Sequence, residues 1–173
     1  MKSIKLIAII LLTLTAFTFT SCENEPVDSA INLADFNPPP VPVDAMTFKT
    51  DFSGDTWTAT QAQAIVSSSS ISISATRADG STFSISVAGT AIGTYPADAN
   101  IIAYTPSGST YGYWSINSTN PAENTGSITI TNIDIVNHKI SGTFNYKGYW
   151  SDGSTTSIIP VQFTNGIFTS IPY

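Results

Sequence analysis

Ser70-Ile71-Ser72-Ile73-Ser74-Ala75-Thr76, followed after Asp79-Gly80 by Phe83-Ser84-Ile85-Ser86-Val87, is the stretch that decides the fold. In both runs the apolar side chains fall on odd positions and hydroxyls fill the even ones, the period of a half-buried strand. Asp-Gly between them tolerates the positive φ angles of a tight reversal. The two runs are therefore expected to pair antiparallel, with one face inward and the hydroxyl face in water.

The same alternation continues outward. Ile128 and Ile130 set one parity, and Ile133 and Ile135 set the other. An extra residue near Thr131-Asn132 reconciles them, because a bulge flips the register of everything after it. Ile140, Gly142, Phe144, Tyr146, Gly148 and Trp150 then form the even face of a long strand. Asp152-Gly153 and Asn165-Gly166 read as two more reversals, the latter setting Phe163 opposite Phe168. Short strands divided by such turns indicate an all-β fold, expected as a single antiparallel β-sandwich, with a meandering β-barrel as the alternative. Residues 45–173 suffice for one such domain.

The chain ahead of this domain has a different chemistry. Lys2 and Lys5 precede an apolar run from Leu6 to Phe19, and Phe19-Thr20-Ser21 leads to Cys22, the sole cysteine. Such a run is shorter than the ~20 residues that a spanning helix needs, and it has the parts of an export signal covering residues 1–21. Phe19 to Cys22 resembles the lipobox of bacterial lipoproteins, with the relaxed third position of Bacteroidota-type signals. That resemblance implies cleavage before Cys22 and acylation of its thiol, hence a protein held on the outer membrane, at its periplasmic face or the cell surface. Two or three acyl chains, at about 0.8 kcal/mol per buried methylene, hold it there durably.

Residues 22–44 read as a tether. Five acids (Glu23, Glu25, Asp28, Asp35, Asp44) and five of the ten prolines fall here, with no base. Extended at about 3.1 Å per residue, such a segment reaches roughly 70 Å. Asp28-Ser29-Ala30 resembles the short O-glycosylation site of the same bacteria, which makes Ser29 a candidate for modification.

Gly54-x-x-Trp57-x-Ala59, Gly93-Thr94-Tyr95, Gly126-Ser127-Ile128-Thr129-Ile130, Ser141-Gly142-Thr143-Phe144 and Asn165-Gly166-x-Phe168-x-x-Ile171-Pro172, in this order, resemble an uncharacterised family of Bacteroidota lipoproteins. The resemblance runs from about residue 47 onward. It implies a lipid-anchored all-β domain, and brings with it neither an activity nor a ligand.

Chemistry is sparse. The chain carries twelve acids and six bases, and the four bases after Cys22 (Lys49, Arg77, Lys139, Lys147) are scattered, so nucleic acid is not an expected partner. His138 is the one histidine and reads as a turn residue; no Gly-x-Ser-x-Gly elbow accompanies it. Zinc would need more Cys, His or carboxylate ligands than are at hand. Asp51 and Asp55 flank Phe52-Ser53-Gly54 and offer the oxygens a hard cation takes, although Asp, Ser and Gly are also ordinary turn residues. Glu123 and Asp134 qualify as a hydrolytic acid pair by residue type alone. Tyr111, Tyr113, Trp114, Tyr146, Tyr149 and Trp150 are the candidates for stacking on a ligand, since exposed Tyr and Trp suit sugar rings and protein partners.

The expectation is therefore a lipid-anchored envelope protein with a non-catalytic binding or structural domain, recognising an envelope glycan or protein and needing no cofactor. The alternative is an envelope hydrolase acting on glycan or ester substrates.

Overall fold

The computed structural model describes residues 45–152 and 159–173, which hold eleven strands and no helix. In chain order these are β1 (Thr47–Phe52), β2 (Asp55–Thr58), β3 (Gln61–Val66), β4 (Ile71–Thr76), β5 (Thr82–Val87), β6 (Gly93–Pro96), β7 (Ile101–Thr105), β8 (Gly112–Trp114), β9 (Gly126–Asp134), β10 (Lys139–Ser151) and β11 (Val161–Pro172). Cys22, Ser29 and Gly153 lie outside the described residues, as do the expected signal and tether.

The Ile-Ser runs are β4 and β5. They pair from Ile71 opposite Val87 to Thr76 opposite Thr82, and Gly80 takes φ 88° in the turn. Ile71, Ile73, Ala75, Phe83, Ile85 and Val87 are all buried. Parity alone thus places this hairpin's core face.

Three one-residue irregularities shape the sheet; one lies in β11 between Phe168 and Ile171, where Ser170 takes φ 51°, and the other two bear on the expected turns. Between β9 and β10 the register passes from Asn132 opposite Ser141 to Ile130 opposite Gly142, so Thr131 is the extra residue. Ile128 and Ile130 are thereby buried, and Ile133 packs on the core from beyond the bulge. Ile135 does not share that parity, because β9 ends at Asp134. Asn165-Gly166 makes no reversal. β11 runs through it, paired to β1 on one side and β10 on the other, with Asn165 at φ 52° and one residue in excess against both neighbours. Asn-Gly supplies the same left-handed backbone to a bulge as to a turn, and pairing on two sides selects the bulge. The flip puts Phe163 and Phe168 on the core side of a single strand.

The strands join in one antiparallel sheet ordered β2-β1-β11-β10-β8-β7-β5-β4-β3, with β9 and then β6 attached to the first part of β10. β10 is the corner. Its residues Lys139 to Tyr146 pair with β9, and Tyr149 to Ser151 pair with β8. The sheet curls there into a half-barrel whose arms face each other, so the two faces of the expected sandwich belong to one continuous sheet. Phe48 from β1 meets Phe83 from β5 at 5.7 Å between ring centroids, and Trp57 from β2 meets it at 4.8 Å. Phe144, Phe163 and Phe168 complete this aromatic centre. At about 25 cal/mol per Å² of apolar surface removed from water, it is the main source of stability in a domain without disulfides.

Candidate functional site

The six candidate aromatics separate by face. β8 lies beside the end of β10, with Tyr113 opposite Trp150 and Trp114 opposite Tyr149. Tyr146 is buried and stacked on Phe163 at 4.4 Å and 8°. Tyr149 points the other way, yet it too is buried, because the segment from Asn117 to Thr125 covers it. Neither ring is open to a ligand. Tyr113 and Trp150 are half-buried and meet edge to face at 5.1 Å. Only Tyr111 (47% exposed) and Trp114 (41%) offer substantial open surface, which is short of a continuous row of exposed rings.

Glu123 holds the covering segment in place. Its Oε1 accepts from Lys147 Nζ at 2.8 Å, and its Oε2 accepts from Asn117 Nδ2 at 2.8 Å and from the Tyr149 hydroxyl at 2.7 Å. Asn117 in turn accepts from Thr119 N, Thr119 Oγ1 and Asn120 N. The Lys147 hydrogen bond first, then those of Asn117 and Tyr149, hold the Glu123 carboxyl at about 2. A general acid needs the opposite displacement. This carboxylate is a staple that stays ionised.

Its titration yields a first prediction. The ordinary glutamate value is 4.5, and folding depresses it to about 2. Below 4.5 the unfolded chain takes up this proton before the folded one, so stability present above that pH is lost progressively down to about 2. Asp51, Asp79 and Asp134 are depressed in the same sense and add to this acid limb. Urea midpoints should therefore hold level from neutrality to about pH 5 and then fall. Glu123→Gln should show a shallower decline between pH 4.5 and 2; an acid limb unchanged in that variant would count against the staple.

Of the remaining candidates, Asp51, Asp134 and His138 are likewise engaged, while Asp55 is exposed. Ser53 and Gly54, at φ 52° and 86°, form a two-residue turn between Phe52 and Asp55. Asp51 accepts from Thr56 Oγ1 at 2.6 Å and from Asn165 Nδ2 at 2.9 Å, so its oxygens tie the hairpin to the β11 bulge. Asp134 accepts from the backbone N–H groups of Val136 and Asn137 and caps the β9–β10 turn. His138 takes φ 51° in that turn, and its ring meets Tyr173 edge-on at 5.5 Å. Glu123 and Asp134 do not converge. One bonds Lys147 and the other's residue faces Lys139, eight positions along β10 and roughly 25 Å apart at 3.3 Å per residue. Among the described residues, no three His, Cys, Asp or Glu side chains gather in a metal-binding group.

One network had no signal in the linear pattern. Buried Ser81 accepts from Trp57 Nε1 at 2.7 Å and donates to Asp79 Oδ1 at 2.6 Å, and Asp79 pairs with Arg77. Asp79-x-Ser81 is a recognisable side-chain-to-backbone turn. Its attachment to Trp57, 24 residues away, is a product of the curl.

Neither a curated protein nor a solved structure matches the chain. Residues 44–172, which include all the described strands, match the model of a family described as Domain of unknown function (DUF6252), and the protein belongs to that family.

Proposed function

We propose that the protein is a lipid-anchored component of the outer membrane whose β domain serves as a non-catalytic binding or structural module on an acidic, proline-rich tether. The anchor is supported by the order of basic start, apolar run and small residues ending at Cys22. The non-catalytic reading is carried by one observation: the Glu123 carboxylate, one of the two acids suited by type to hydrolysis, is closed by three donors and depressed to about 2. Asp51 and Asp134 are occupied in the same way by turn donors. Tyr111 and Trp114 remain as the open aromatic surface for an envelope glycan or protein.

Radiolabelled palmitate should enter the protein in a bacterial host and sediment with membranes. Cys22→Ser should abolish incorporation and leave the mature chain unanchored. Unchanged processing and fractionation of that variant would falsify the anchor. For the domain, a glycan array and pull-down with the chain should give a partner lost in Trp114→Ala, while turnover of ester or glycoside substrates would replace this reading with the hydrolase.

A further inference from the structure

β1, β11, β10 and β9 lie side by side, and their register gathers several chain points at one end of the sheet. Thr47 pairs with Thr169, Lys139 with Pro172, and Lys139 also with Asp134. The turn formed by residues 135–138 therefore projects from the end at which the preceding chain enters the domain. Its tip is Ile135 and Val136, 74% and 82% exposed. Asn, Asp, Gly and Ser are the usual residues of such a tip, for reasons of backbone geometry and hydration.

The apolar pair is held outward. Asp134 Oδ1 accepts from Val136 N at 3.0 Å and Asn137 N at 2.9 Å, and Asn137 Nδ2 donates to Oδ2 at 2.7 Å. Behind the tip stand Lys139 and the His138–Tyr173 ring pair, with the Tyr173 hydroxyl donating to the Asp134 carbonyl at 3.3 Å. Apolar side chains outermost, then a tyrosine and a cation, is the order of groups across a bilayer boundary.

We propose that the Ile135-Val136 tip is a second membrane contact, entering the lipid interface of the membrane that holds Cys22. The inference rests on the anchor proposed above, because two side chains bind a bilayer weakly by themselves. A tether of roughly 70 Å turns that weak contact into an intramolecular one at high effective concentration. Attraction to anionic headgroups is not the cause, given twelve acids against six bases in the chain. The contact is apolar, so screening should not release it.

With Cys22 lipidated, Val136→Cys provides the single free thiol, which takes a nitrobenzoxadiazole dye. On vesicles of phosphatidylethanolamine and phosphatidylglycerol its emission should shift to the blue, persist at about 1 M salt, and return to the aqueous position when Ile135→Asp is added. A dye at Ser69→Cys, in the exposed turn between β3 and β4, should stay at the aqueous wavelength. An unshifted dye at position 136 on vesicles carrying palmitate-labelled chain overturns the tip and leaves the anchor standing. If palmitate is not incorporated, the anchor falls, and the tip contact that rests on it is overturned with it. A shift that needs no vesicles and grows with protein concentration overturns it in favour of contact between copies.

Discussion

Phe48→Ala should lower the stability of the domain by about 3–5 kcal/mol, the range for removing a buried aromatic ring. Phe48 is fully buried, and its ring lies 5.9 Å from Trp57, 5.7 Å from Phe83, 5.4 Å from Phe144 and 6.4 Å from Phe168. These neighbours come from β2, β5, β10 and β11, so a single side chain from β1 bridges both arms of the curled sheet. The cavity left by alanine is walled by flat rings carried on hydrogen-bonded strands, and such walls close poorly around a void. Against a total stability of about 5–15 kcal/mol, the loss should populate the unfolded state in mild urea. Urea unfolding followed by tryptophan emission reads it directly, since Trp57 sits against the missing ring. A loss below about 1 kcal/mol would mean that the arms do not depend on this contact.

The difference between what could and could not be read from the chain has a single physical origin, the sequence separation of the partners. β4 and β5 were legible because their alternation and their turn lie within eighteen residues and reinforce one another. The Thr131 bulge was legible because a change of parity is recorded in the strand itself. Asn165-Gly166 misled because a hairpin and a bulge demand the same local backbone, and the choice is made by β1, more than a hundred residues earlier. The candidate site obeys the same rule. Alternation put Tyr149 on the face opposite Tyr146, correctly, but an outward face is open only if nothing folds over it. The Asn117–Thr125 segment does so, through a carboxylate whose partners stand 6, 24 and 26 positions away. Acid and base types in a sequence advertise chemistry; their hydrogen bonds reveal whether that chemistry is already spent on the fold.

Gly126→Ala is expected to be comparably damaging, and it tests the corner at which β10 changes partners. Gly126 opens β9 opposite Tyr146, at φ 137°, a backbone conformation that side chains strain. A Cβ there would stand 2.1 Å from the Asn145 carbonyl oxygen and 2.7 Å from the Tyr146 Cα. Both are main-chain atoms of β10, so no rotamer change relieves the overlap and the strands must part. Parting them would strain the neighbouring Lys147 N–H to Thr125 carbonyl bond, 2.7 Å, and with it the Lys147 contact to Glu123. The backbone strain costs about 1–3 kcal/mol and the overlap a similar amount, for a combined loss of about 2–6 kcal/mol. Gly54→Ala is the matched comparison: φ is 86°, but the added methyl meets only open space. That variant should lose about 1–2 kcal/mol from conformation alone. Thermal midpoints of the two variants therefore separate the contributions. Equal losses would show that the close approach of β9 to β10 is not what requires glycine at the corner.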